Sequence, residues 1–85
     1  MQQALHLANV YLENARNADD PSIALVLCHD TELTLPQVKR AAKHSEDTTM
    51  HERIASIYIV LGEVLETHHR KTEAQAFYKK SIKWG

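Results

Sequence analysis

Between Ile54 and Leu65 apolar side chains fall on almost every side of a helix. Ile54, Ile57, Tyr58, Leu61, Val64 and Leu65 recur three and four apart and make one continuous stripe. Ile59 and Val60 carry apolar surface most of the way round. A helix apolar over so much of its circumference needs neighbours on more than one face, so it belongs at the centre of a helical assembly. The chain has 85 residues in which to supply those neighbours, enough for one small domain. Only two Gly and two Pro stand among them, which favours helices over a loop-rich or all-β chain.

The rest of the chain reads as further amphipathic helices. From about Gln3 to Asn17, Ala4, Leu7, Ala8, Tyr11, Leu12 and Ala15 form a stripe that Leu5 and Val10 widen. Asp20 is placed to cap a second helix with Pro21 at its first position, running to about Thr31 and burying Ile23, Ala24, Leu27, Cys28 and Thr31. Thr34 and Gln37 have capping-box spacing and open a short helix over about 35–44, with Leu35, Val38, Ala41 and Ala42 inward. Ser45-Glu46-Asp47-Thr48 interrupts it. Thr49 and Glu52 form another capping box for the central helix, about Thr49 to Thr67. A last helix follows from about Lys71 to Lys83, with Ala74, Phe77, Tyr78, Ser81 and Ile82 inward and Gly85 as a C-cap. The expected fold is therefore all-α, with five helices and no strand.

Charge and cysteine content narrow the function classes. The formal net charge is −1, so bulk charge does not draw the chain to nucleic acid. The charge is nevertheless uneven. Residues 1–35 hold five acids (Glu13, Asp19, Asp20, Asp30, Glu32) against Arg16 alone. Residues 66–85 hold five bases (Arg70, Lys71, Lys79, Lys80, Lys83) against Glu66 and Glu73. A chain polarised in this way can stack head to tail or meet a charged partner at one end; scatter on solvated helix faces is the alternative. The basic end lacks a stacking platform or groove-reading helix, so nucleic acid is not the expected partner. Cys28 stands alone, which rules out an internal disulfide and a cysteine-based zinc cluster and suits a reducing compartment. With neither a signal peptide nor a membrane span in view, cytoplasm or nucleus is expected.

Six histidines raise the question of a metal or a pH switch. His51-Glu52 begins like a helical zinc-protease motif, but Ala55 stands where the second ligand is needed. His68 and His69 are adjacent on a turn, a poor arrangement for one metal ion. Cys28 and His29 diverge by about 100° on a helix and do not form a thiol–imidazole pair. We find no phosphate-cradling loop, nucleophile elbow or carboxylate pair in a cleft. No enzyme activity and no cofactor are expected, and the histidines read as solvated surface residues.

The two ends of the chain are alike. Tyr58-x-x-Leu61-Gly62-x-x-Leu65 is followed, twelve residues after Gly62, by Ala74-x-x-x-Tyr78-x-x-Ser81. This resembles the tetratricopeptide repeat, in which small residues on helices A and B let the pair approach while large ones fill the gaps. Leu7-Ala8-x-x-Tyr11 and Ala24-x-x-x-Cys28-x-x-Thr31 form a weaker copy, with a longer turn and with Cys28 in place of an aromatic. The resemblance implies a hairpin over about 2–33, an extra short helix over about 35–44 and a second hairpin over about 49–84, in one irregular, TPR-like domain. It also implies a piece of a longer array. Phe77 and Trp84 fall outside the signature and are candidates to seal an open end or to pack on a missing neighbour.

The resemblance further implies a concave surface lined by the A helices. It would comprise Gln2, Leu5, Asn9, Leu12 and Glu13 with Ser56, Ile59, Glu63, Glu66 and Thr67. Such a groove is acidic with apolar spots and suits a basic, apolar peptide or an amphipathic helix. Some family members clamp a partner's terminal carboxylates with Lys, Arg and Asn; only Asn9 matches that set, so no clamp is expected. The implied function is a non-catalytic protein–protein interaction or adaptor module within a larger protein. The alternative is a compact bundle for self-association or scaffolding, with Leu5 and Ile59 packed under the extra helix and no groove left open.

Overall fold

A computed structural model describes residues 2–44 and 48–84 of the chain. It is all-helical, with no strand among the described residues. The helical segments are α1 (Gln2–Asn17), α2 (Pro21–Leu33), α3 (Leu35–Lys43), α4 (Thr48–Thr67) and α5 (Lys71–Trp84). The expected interruption at Ser45-Glu46-Asp47 and the C-cap at Gly85 lie outside the described residues.

Local chemistry explains the boundaries. The Asp20 carboxylate accepts from the Ser22 amide at 2.8 Å, and Pro21 occupies the first turn, where its missing N–H costs nothing. The capping box at Thr34 does not form. Thr34 is itself helical (φ −84°, ψ −11°), and its hydroxyl donates back to the Thr31 carbonyl at 2.7 Å. The α2–α3 boundary is thus a one-residue bend, and the expected short helix is nearly a continuation of α2. Helix α4 begins at Thr48, one residue before the expected start. At the other end of α4, His69 takes a left-handed φ of 63°. The Arg70 amide donates to the Leu65 carbonyl at 2.8 Å and the His69 amide to Glu66 at 2.9 Å. This is a Schellman closure with histidine where glycine is usual.

Two antiparallel helix pairs carry most of the packing: α4 with α5, and α1 with α2. Helix α4 also touches α1, α2 and α3, the central position that its apolar circumference demands. By contrast, among the described residues α5 approaches only α4 at the backbone. The core holds Tyr58, Leu35, Ile54, Leu61, Leu65 and Val38 as its largest fully buried side chains.

Several inward positions differ from expectation. On α1 the buried stripe is Leu5, Ala8, Leu12 and Ala15, while Leu7 and Val10 face solvent and Tyr11 is half-buried. On α2, Ala24, Cys28 and Thr31 are buried, but Ile23 is exposed and Leu27 only half-buried. Ile82 on α5 is exposed as well. The cause is common to all three. Where small residues bring two backbones together, the buried arc of each helix narrows, and large side chains at its margin are left outside.

Candidate functional site

A cleft of about 560 Å³ runs between α1 and α4. Leu5, Asn9 and Leu12 line one wall, four and three residues apart along α1. Thr49, Arg53, Ser56 and Val60 form the matching stripe on α4, with Glu52 and Ile57 flanking it. Toward the C-terminal ends of both helices a smaller hollow of about 250 Å³ is lined by Arg16, Val60, Glu63, Val64, Thr67 and His68. Val60 belongs to both, so the two hollows adjoin. N-terminal α1 meets N-terminal α4, and Arg16 meets the far end, so the two helices run in the same direction. No α3 residue lines either hollow, and the extra helix does not close the groove.

The structure brings together part of the expected set. Leu5, Asn9, Leu12 and Ser56 line the cleft, and Glu63 lines its extension. Thr67 also joins the extension. Glu13 lines neither hollow; it lies 3.8 Å from Arg16 in an exposed ion pair that contributes little to stability. Ile59 and Glu66 line neither hollow. Ile59 is exposed, and Glu66 meets Tyr78 of α5: desolvation, followed by a hydrogen bond to Glu66, pushes the Tyr78 hydroxyl up to about 12. Arg16, Arg53, Glu52 and Thr49 were not foreseen in the groove. Arg16 and Arg53 matter most, because they balance Glu52 and Glu63 and remove the expected acidic bias. Their spacing from Leu12 and Ser56, four and three residues, was the available signal.

The repeat positions divide in the same way. Gly62 is buried against Tyr78: a Cβ placed there would meet Tyr78 Cδ1 at 2.7 Å and Cζ at 2.8 Å. Ala8, Ala24, Cys28, Tyr58, Leu61, Leu65, Ala74 and Ser81 are buried, whereas Leu7 is not. Burial pushes the Cys28 thiol up to about 11, which suits an inert core residue rather than a nucleophile.

Outside the cleft, a polar cluster ties the helices together. The Tyr58 hydroxyl donates to Glu32 Oε2 at 3.3 Å, and Lys80 Nζ reaches the same oxygen at 2.5 Å. Phe77 stacks on Tyr58 with ring centroids 6.0 Å apart, so it fills the core rather than sealing an open end. Lys39 Nζ sits 5.0 Å from the Tyr58 ring centroid. Burial lowers the Lys39 pKa; Glu32 opposes that shift, while Lys80, Lys83 and Lys43 add to it. Burial, then the charge and hydrogen bond of Glu32, raises the Tyr58 phenol well above its ordinary value.

His51 is not the solvated residue that the sequence suggests. It is half-buried, its Nε2 donates to the Ala42 carbonyl at 2.8 Å, and its ring lies 5.4 Å from that of Trp84. Trp84 therefore packs on the start of α4. Among the described residues no three His, Cys, Asp or Glu side chains converge as metal ligands, and no helix is long and apolar enough to cross a membrane.

No family model, no curated protein and no solved structure matches the chain.

Proposed function

We propose that this chain is a non-catalytic protein–protein interaction module, built from two TPR-like hairpins, that receives a peptide or a helix in the α1–α4 cleft. The observation that carries the reading is the cleft itself, about 560 Å³ in volume and lined on both walls at helical spacing. Its lining mixes apolar side chains (Leu5, Leu12, Ile57, Val60) with hydrogen-bonding groups (Asn9, Ser56) and charges of both signs. That combination suits a short segment with apolar residues on one side and mixed charge on the other. The close seat of Gly62 against Tyr78 and the shared direction of α1 and α4 support the TPR-like assignment. Exposed Leu7 is its main departure from the pattern.

The test is selection of peptides from a randomised displayed library on the folded chain. Enriched peptides are expected to bind Ser56→Arg at least tenfold more weakly than wild type, because an arginine there projects into the cleft. Binding to Ile59→Arg, outside the cleft, is expected to be unchanged. Failure to enrich any peptide, or equal binding to Ser56→Arg, defeats the reading.

A further inference from the structure

The large exposed apolar side chains are not scattered. On α2, Ile23, Val26 and Leu33 are 53, 57 and 75% exposed. With Asp30 they stand three, four and three residues apart, on one helix face. Leu7 and Val10 on neighbouring α1 are exposed too. On α5, Ile82 is 78% exposed and shares a face with Lys71, Gln75 and Lys79, spaced four, four and three apart, with Lys83 beside them. The contact between Glu32 and Lys80 marks the sides of α2 and α5 that point toward each other. Each exposed stripe lies on the other side of its helix, about 100–180° round from that contact by helical geometry. The α5 stripe lies beside Tyr78, at the edge of the face that packs on α4, and α4 is the only helix among the described residues whose backbone comes near α5.

The two stripes are complementary in charge. The α2 stripe carries Asp30 and begins beside Asp19 and Asp20; within residues 1–35 the one base, Arg16, is engaged by Glu13. The α5 stripe carries lysines. Pairing either stripe with its own copy would set acid against acid or lysine against lysine. Pairing α2 with α5 joins apolar to apolar and acid to base.

We propose that the chain self-associates head to tail, the α2 stripe of one copy seated on the α5 stripe of the next. A second copy is the fitting occupant because one chain carries both halves of the contact, on opposite sides. A heterologous contact of this kind leaves a free stripe at each end, so the product is an array that grows with concentration rather than a closed symmetric dimer. The contact uses neither wall of the α1–α4 cleft, and peptide binding there is separate from it.

Sedimentation of the full chain and of two doubly substituted variants tests the proposal. Ile23→Asn/Val26→Asn blocks one stripe, and Lys79→Gln/Ile82→Asn blocks the other. All four positions are exposed, and circular dichroism checks that the helices are kept. For wild type the mean mass is expected to rise past a dimer from micromolar to millimolar concentration and to fall as salt is added. Each variant alone is expected to stay monomeric, its association weakened at least tenfold. An equimolar mixture of the two is expected to give a one-to-one dimer and to stop there, since each contributes one intact stripe. A wild type that stays monomeric throughout overturns the proposal. So does a variant that dimerises alone, or a mixture that does not associate.

Discussion

Helices α4 and α5 bury mostly large side chains; on α1 and α2 the most deeply buried side chains are small. On α4 and α5 the large buried side chains are Tyr58, Ile54, Leu61, Leu65 and Phe77, Phe77 stacks on Tyr58, and Gly62 gives Tyr78 room to lie close. Along α1 and α2 the residues of zero exposure are Ala8, Ala15, Ala24, Cys28 and Thr31, while Leu7, Val10, Ile23 and Val26 are left to solvent. Both pairs are antiparallel hairpins, yet they hold together differently. The second supplies most of the large side chains of the common core. The first depends on close backbone approach and on the flank of α4 and α3, against which Leu5, Leu12 and Cys28 join the common core.

The difference predicts unequal sensitivity to truncation. Leu65→Ala should cost about 2–5 kcal/mol, the range for a fully buried leucine whose site collapses only in part. Urea denaturation measures it. A loss as small as that of an exposed residue would mean that α4 does not organise the core.

Alkaline titration separates the hairpins by another route. The Cys28 thiol, near 9.0 when unfolded, is raised to about 11 in the fold. A raised folded-state pKa contributes stability that is complete below the unfolded value and is lost as pH climbs through the folded one. The two-unit shift corresponds to up to about 2–3 kcal/mol lost by pH 11–12. Tyr58 and Tyr78 are raised too and add losses from α4 and α5 at higher pH. Wild type should therefore lose more stability than Cys28→Ala between about pH 9 and 11. Parallel pH dependences in thermal melts would show that Cys28 is not held as a buried thiol.

Tight packing at Gly62 should be costly to disturb. Gly62→Leu needs Tyr78 to leave its place and is expected to destabilise by about 1–3 kcal/mol through overpacking. A double-mutant cycle with Tyr78→Ala should recover part of the loss, because the clash is with that ring. An unchanged melting temperature for Gly62→Leu would mean that the α4–α5 contact, and the repeat alignment drawn from it, is wrong.

The turn between α4 and α5 offers a smaller, stabilising change. His69 holds a left-handed backbone that disfavours a side chain. His69→Gly should stabilise by about 0.5–1 kcal/mol, the relief of strain outweighing the added freedom of the unfolded chain. The corresponding turn between α1 and α2 is closed instead by the Asp20 carboxylate, so Asp19→Gly there should give no such gain.

How much of this was legible in the sequence follows from how local each feature is. The stripe of α4 and the spacing from Gly62 to Ala74 and Tyr78 are readable because one helix pair satisfies them. The tetratricopeptide resemblance, not periodicity, pointed to Leu5, Leu12 and Ser56 at the groove. Periodicity could not decide which edge of the α1 stripe turns inward, since Leu5 and Leu7 are equally apolar and only the docking of α4 separates them. Nor could it find the Tyr58–Glu32–Lys80 cluster, whose members are 26 and 48 residues apart. His51 was misjudged for the same reason: the carbonyl it meets, on Ala42, ends a different helix.

The smallest predicted effect is at Ile23, and it is the most discriminating. A stripe that places isoleucine among Ala24 and Cys28 suggests a core residue, whose truncation would cost several kcal/mol. The structure leaves Ile23 53% exposed. Ile23→Ser should then change the unfolding free energy of the monomer by no more than about 0.5 kcal/mol. Measured dilute, this isolates folding; measured concentrated, the same substitution should lower the association of copies, because Ile23 sits on the stripe assigned to α5 of a neighbour. A large loss in the dilute chain would place Ile23 in the core after all. It would make α1 and α2 resemble α4 and α5 in how they are filled, and it would leave α2 without the free apolar face on which stacking depends.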